Sequence, residues 1–152
     1  MTPDDATYLR ATFAAAREAA AAGNMPFGAA LVKAGQLRWL ARNNQVTSGD
    51  CTGHAEVVLV REARAALGAD ITQGATVYAS GEPCAMCAGA MFWAGITRVV
   101  YGASTPDIGE ALGGPSLPPR CAEVLAQAQP AVQVDGPMLQ DEGRAALGLP
   151  PR

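Results

Sequence analysis

The single histidine of this 152-residue chain is the feature that most constrains its fold. His54 stands at the start of an apolar helical pattern, two positions before Glu56, and Pro83 precedes Cys84 and Cys87 thirty residues downstream. Side chains three positions apart share one face of a helix, so the two sulfurs can reach one point. Bringing His54 to the same point requires two helix N-termini to meet, which the carboxyl edge of an α/β sheet allows.

The apolar periodicity predicts alternating helices and strands. Helices are expected at Asp4–Ala22, His54–Leu67, Pro83–Ala94, Cys121–Ala128 and Met138–Leu147. Strands are expected at Phe27–Ala34 and Gln36–Ala41, which read as a hairpin, and at Ala75–Ala79, Thr97–Tyr101 and Ala131–Val134. Turn-forming residues predict mainly loop at Arg42–Thr52 and Gly102–Arg120. This order indicates one α/β sheet with helices on both faces.

Composition narrows the classes of protein that fit. Hydrophobic residues make up 49% of the chain, charged residues 16%, and the net charge is −3. These values predict one globular domain over residues 1–152, with no global attraction to nucleic acid. No apolar run approaches the length of a membrane span, and the N-terminal MTPDDATYLR lacks a signal-peptide pattern. We therefore expect a cytoplasmic protein, in which four cysteines favour metal binding or catalysis over disulfides.

One imidazole and two thiolates form a suitable ligand set for zinc. The start of a helix favours the thiolate form of Cys84 and Cys87, and His54 supplies the third ligand. Three protein ligands leave a fourth position for water, as in catalytic zinc sites. Glu56 is then placed to act as the general acid and base, because a carboxylate that does not bind the metal can move the proton of that water.

The motifs H-x-E at 54–56 and P-C-x-x-C at 83–87 occur in the order found in zinc-dependent nucleobase deaminases. With EPCAMCAGAMFWAGITRVVYGA at 82–103, they resemble the cytidine deaminase-like superfamily, in the branch of guanine deaminases, fungal-type cytosine deaminases and tRNA adenosine deaminases. The loop NNQVTSGDCTGHAE at 43–56 most resembles the guanine deaminase form. The resemblance extends to about Ala103. It implies an α/β three-layer α-β-α sandwich with a mixed sheet of about five strands, and a homodimer.

The same resemblance implies the residues of a substrate pocket. PFGAALV at 26–32 resembles the hairpin strand that carries part of the base pocket, and Phe27 and Trp93 occupy positions that stack on the base. Asn43 offers a donor and an acceptor to the edge of a heterocycle, and Ala55 lies between the metal ligand and the catalytic carboxylate.

The segment after about residue 104 matches the resembling proteins poorly and is expected to close a site, either in its own chain or in a neighbouring copy. An acceptor there would recognise the N–H donors of guanine. Among Asp107, Glu110, Asp141 and Glu142 we favour Glu142, because the preceding Pro137–Leu139 can anchor a helix start.

These features predict hydrolytic deamination of a heterocyclic base, with guanine giving xanthine and ammonia as the first choice. Alternatives are a tRNA wobble adenosine deaminase, or a deaminase of cytosine, isocytosine, a pterin or an aminotriazine. The tail from Ala131 carries Asp135, Asp141 and Glu142 against only Arg144 and Arg152, which disfavours a phosphate partner.

Two interpretations without deamination also remain at this level. Cys51 and His54 with Cys84 and Cys87 are four possible ligands for a closed structural zinc, which would make the protein a binding module. The cysteine pair alone is also the pattern of a thioredoxin-like redox site.

Overall fold

The protein forms one mixed five-stranded sheet between two layers of helices. The computed structural model describes residues 1–152. Its strands are β1 (Gly28–Lys33), β2 (Gln36–Arg42), β3 (Thr76–Gly81), β4 (Arg98–Ala103) and β5 (Gln133–Asp135). Its helices are α1 (Pro3–Ala21), α2 (Gln45–Ser48), α3 (Ala55–Leu67), α4 (Ala85–Trp93), α5 (Thr105–Leu112), α6 (Cys121–Leu125) and α7 (Gln140–Ala146), with a short 3-10 helix at Ala69–Thr72.

Strand order explains why one edge of the sheet can carry a site. The order is β2-β1-β3-β4-β5. The hairpin strand β1 runs antiparallel to both β2 and β3, whereas β3, β4 and β5 run parallel. The carboxyl ends of these three strands therefore lie at one edge, where the loops that follow them meet. The predicted mixed sheet of about five strands is confirmed.

The apolar residues form a separate core on each face of the sheet. On one face α3, α4 and α6 bury residues that include Leu59, Met91 and Leu125 against β1, β3 and β4. On the other face α1 and α7 bury a smaller cluster around Phe13. The predicted three layers are thus confirmed, and helices on opposite faces are separated by the sheet. None of the helices combines the length and the hydropathy that a membrane span needs.

Two of the predicted loops contain helices. Residues Thr105–Leu112 form α5 instead of loop, because the Ser104 side chain accepts a hydrogen bond from the Asp107 N–H and Pro106 fits the first turn. The segment after Arg42 likewise contains the single turn α2. Pro83 precedes the helix start instead of lying in the first turn of α4, since Cys84 occupies the N-cap. The other predicted elements are found with shifted ends.

Helix α1 and strand β1 approach each other too closely for a side chain at Gly28. A Cβ at this position would overlap the Thr12 carbonyl oxygen and would lie 2.9 Å from the Ala16 nitrogen. Both are backbone atoms of α1, so no side-chain rotation can relieve the overlap. Glycine at this position therefore sets the distance between the helix and the sheet.

We expect Gly28→Ala to lower the free energy of unfolding by about 1–3 kcal/mol, the usual cost of overpacking a core. Urea denaturation at equal zinc content measures this. Gly109→Ala in α5 is the matched control, because a Cβ there meets nothing within 4 Å. An unchanged urea midpoint for Gly28→Ala would show that α1 can move away without cost.

Candidate metal centre and active site

Two helix starts converge on the same face of the sheet. His54 is the N-cap of α3, Cys84 is the N-cap of α4, and Cys87 is the third residue of α4. Helix α4 begins soon after β3 ends at Gly81, so the thiols lie near the carboxyl ends of the parallel strands. Both N-caps have extended backbone and neither uses its side chain to cap its helix. The side chains of His54 and Cys84 are therefore free to contact each other.

The spacing of the three donors fits a tetrahedral zinc ion. His54 Nδ1 lies 3.5 Å from each sulfur, and the sulfurs of Cys84 and Cys87 lie 3.7 Å apart. Zinc bonds of about 2.3 Å to sulfur and about 2.0–2.1 Å to nitrogen place two sulfurs about 3.8 Å apart and each about 3.5–3.6 Å from the nitrogen. The observed triangle matches these edges, and the donor set of one imidazole and two thiols is one that zinc prefers.

Local electrostatics prepare Cys84 to be a thiolate. A hydrogen bond from Cys87 and the contact with the His54 ring together outweigh burial and lower the pKa of Cys84 to about 4. The hydrogen bond to Cys84 and burial both raise the pKa of Cys87. The two sulfurs thus share one proton in the free protein. Binding of zinc, which needs both thiolates, must release that proton.

Glu56 lies beside the triad without joining it. This carboxylate is in the first turn of α3 and only 5% of the residue is exposed. Burial raises its pKa to about 7, while a hydrogen bond with Cys87 acts in the opposite direction. The three donor atoms within 4.8 Å of one another belong to His54, Cys84 and Cys87. A buried carboxyl next to a three-ligand metal site can exchange a proton with a water there.

Cys51 lies outside this cluster. Its thiol is free and the residue is exposed, and it is not among the donor atoms that converge. The structure therefore brings together three donors, without the fourth that the structural site with Cys51 requires, and the open fourth position stays a prediction. The redox interpretation of Cys84 and Cys87 also fits poorly, because the imidazole of His54 contacts both sulfurs.

Comparison with known proteins agrees with this centre. Residues 2–103 match the family model described as the cytidine and deoxycytidylate deaminase zinc-binding region. This chain belongs to that family. It is a zinc-dependent deaminase of the cytidine deaminase superfamily, and the match includes both helix starts that carry the triad.

Three relatives of this deaminase illustrate the range of the family. A probable cytosine deaminase of Schizosaccharomyces pombe is 34% identical over 93% of this chain and 89% of the relative. The guanine deaminase of Bacillus subtilis is 42% identical over 69% of this chain and 68% of the relative. A solved structure from a study of A-to-I editing by tRNA:A34 deaminases at the wobble position of transfer RNA has a TM-score of 0.76 and 30% identity, covering 93% of this chain and 99% of the other.

Phe27 and Ala55 lie close to the deaminase centre. Ala55 is the first residue of α3, fully buried, and the Phe27 side chain packs against the core cluster that contains it. A Cβ at Gly81 would lie 2.8 Å from the Phe27 ring and 3.0 Å from Ile108 of α5. The Phe27 ring and the Ile108 side chain therefore both lie over the end of β3, and Ile108 is a neighbour of Phe27 that sequence analysis did not identify.

Asn43 is buried near the same edge, but its amide is already engaged. Only 1% of the residue is exposed. Its side chain donates to Gln45 Oε1 at 2.7 Å and accepts from the Gln45 N–H at 3.0 Å, while its backbone N–H donates to the Phe27 carbonyl. These bonds use one N–H and one lone pair of the amide, so a second N–H and a second lone pair stay unused by Gln45.

The structure does not bring Trp93 and Glu142 to the triad. Trp93 is the last residue of α4 and 83% exposed, with its ring against the edge of Phe92. Glu142 lies on α7, across the sheet from α3 and α4, and its carboxylate binds Arg10 of α1 at 3.0 Å. Within one chain, Arg10 of the first helix on the opposite face therefore takes the predicted acceptor, and a role of Glu142 in the pocket of a neighbouring copy stays a prediction.

Replacing Cys84 with Ser should abolish tight zinc binding, because a hydroxyl does not supply the soft thiolate ligand. Cys51→Ser should retain about one zinc per chain, as expected for a three-ligand site. Elemental analysis after dialysis against a weak chelator measures both. Loss of zinc from the Cys51 variant would contradict the open three-ligand centre.

Proposed function

We propose that this protein hydrolyses the exocyclic amino group of a small heterocyclic base, releasing ammonia, with guanine as the first choice of substrate. His54, Cys84 and Cys87 would hold the zinc ion. When bound, zinc supplies a Lewis acid that lowers the pKa of a water at the open position. The proposal assigns the remaining chemistry to side chains of this chain.

Glu56 is the proposed proton carrier. Its carboxylate accepts a proton from the attacking water and passes it to the ring nitrogen of the base. It then takes the remaining proton of the added hydroxyl and gives it to the amine, so that the carbonyl forms as the C–N bond breaks and ammonia leaves. Its position supports this role, since it lies in the first turn of α3 between the metal ligands and the buried core. Phe27 and Ala55 are proposed to contact the flat face of the base, and Asn43 its edge.

The observation that most favours a small base is that most of the cationic side chains are paired. Seven of the eleven Lys and Arg residues lie within ion-pair distance of a carboxylate, among them Arg120 and Arg144 of the C-terminal part. The other four are Arg17, Lys33, Arg38 and Arg64, on four different elements. A tRNA enzyme needs several clustered cations for phosphates, so we place a tRNA substrate second.

The identity of the base is proposed from likeness. The guanine deaminase of Bacillus subtilis is 42% identical to this chain, compared with 34% for the probable cytosine deaminase. Cytosine is the second candidate base, because the probable cytosine deaminase of Schizosaccharomyces pombe matches 93% of this chain.

A cytoplasmic homodimer stays a prediction. Light scattering measures the oligomer, and only a second copy would let Trp93 or Glu142 reach the triad.

Changing Glu56 to Gln keeps the shape of the side chain and removes its ability to carry a proton. We expect turnover to fall by about 10²–10⁴-fold while zinc content is unchanged. Glu62→Gln is the matched control, because Glu62 lies on the exposed side of the same helix and binds the Trp39 indole. Ammonia release measures activity. Retained turnover in Glu56→Gln would mean that another group moves the proton.

The charge argument makes a prediction about salt. Deamination of a free base should change little when salt rises from about 50 to about 200 mM, because no phosphates are bound, whereas a tRNA enzyme loses affinity steeply over this range. A panel of guanine, cytosine and a tRNA anticodon stem-loop tests this. Deamination of the stem-loop alone, with strong salt dependence, would overturn the small-base proposal.

A further inference from the structure

Glu82 is a buried carboxylate that the deamination chemistry does not use. It lies between the end of β3 and the Pro83–Cys84 start of the metal-binding helix, and its side chain is 2% exposed. Its backbone N–H donates to the Ala103 carbonyl at 2.7 Å, which extends the pairing of β3 and β4 to the edge of the sheet. The carboxylate binds two other segments.

The first of these segments is α5. The Thr105 N–H at the start of this helix donates to Glu82 Oε1 at 2.8 Å. One turn further, the Ile108 side chain and the Phe27 ring both lie over Gly81. The bond between Glu82 and Thr105 therefore fixes the start of α5. The Ile108 side chain of this helix lies beside Phe27, the proposed base-stacking ring.

The second segment is the start of α6. Arg120, the N-cap residue, donates from Nε and from its terminal nitrogen to the two oxygens of Glu82 at 3.1 and 2.8 Å. Such a two-point contact fixes orientation as well as distance. The next residue, Cys121, is fully buried, and burial followed by the charges of Glu82, Glu56 and Cys84 raises its pKa to about 12. Because Cys121 packs in the same core cluster as Ala88 and Met91 of the metal-binding helix, the Glu82–Arg120 pair lies beside that helix.

We propose that Glu82 is a positioning residue for deamination, whose carboxylate holds the first turn of α5 and the start of α6 against the metal-binding helix and so sets the opening that admits the base. The role rests on the proposed function. Because Glu82 acts through Thr105 and Arg120 without touching the substrate, it affects how tightly a base binds more than how fast the bound base reacts.

Three variants separate this role from general stability. Glu82→Gln keeps an acceptor for the Thr105 N–H and removes the ion pair. Arg120→Gln removes the pair from the other side without altering the metal-binding segment, and the double variant closes a mutant cycle. Glu18→Gln is the matched control, because Glu18 forms a surface pair with Arg42 at 3.6 Å on the far helix α1. KM, kcat, zinc content and thermal midpoint are measured for each.

We expect KM for the preferred base to rise about tenfold in both single variants, a loss of about 1.4 kcal/mol of binding, with kcat within about threefold of the parent. The double variant should be no worse than either single one, because both remove the same contact. The ratio of kcat/KM for guanine and cytosine should change as well. Zinc content and the Glu18→Gln values should equal those of the parent.

Hydrogen exchange gives a readout without turnover. In the zinc-loaded protein, Glu82→Ala should speed exchange of the Thr105 amide, while exchange in α1 stays at the parent rate. Unchanged KM and base preference in the single variants, or a fall in thermal midpoint alone, would overturn the positioning role. Failure of the proposed function looks different, since the parent protein would then release ammonia from none of the bases.

Discussion

The structure depends on the convergence of two helix N-termini at one edge of the sheet. The donor atoms of His54, Cys84 and Cys87 lie within 3.7 Å of one another because α3 and α4 pack side by side and both begin at this edge of the sheet. Apolar packing of these helices against β1, β3 and β4 provides that alignment. The positive ends of both helix dipoles then face the centre and favour the thiolates that zinc requires.

Three groups that can carry negative charge are clustered where the helices meet. Burial raises the pKa of the Glu56 carboxyl, and the hydrogen bond to Cys84 together with burial raises the pKa of the Cys87 thiol. Binding of a divalent cation favours the ionised forms, so occupation by zinc and ionisation of these groups are linked. The same burial would shield the proton transfer proposed for Glu56 from bulk solvent.

The part of the chain after Ala103 is held by strand pairing and apolar packing, and also by buried ion pairs. Asp107 of α5 is fully buried and binds Arg144 and Arg152, while Glu82 binds Arg120. A buried charge is tolerated only when it is paired, so these contacts specify where α5, α6 and α7 lie. They also occupy most of the arginines of the C-terminal part, which is why the surface has few free cations to offer to phosphates.

The sequence by itself determined the metal ligands proposed at His54, Cys84 and Cys87, the carboxyl at Glu56 and the alternation of strands and helices, because helical spacing, capping and donor chemistry are local properties. Only the tertiary structure decided what the long-range partners are. Glu142 has the right chemistry for an acceptor, but α7 packs on the face opposite the triad and Arg10 takes its carboxylate. Helix α5 was missed because the Gly and Pro residues around it predict loop. The Ser104 cap is a local signal for this helix, whereas Glu82 and Arg144 stabilise it through contacts that no local pattern contains.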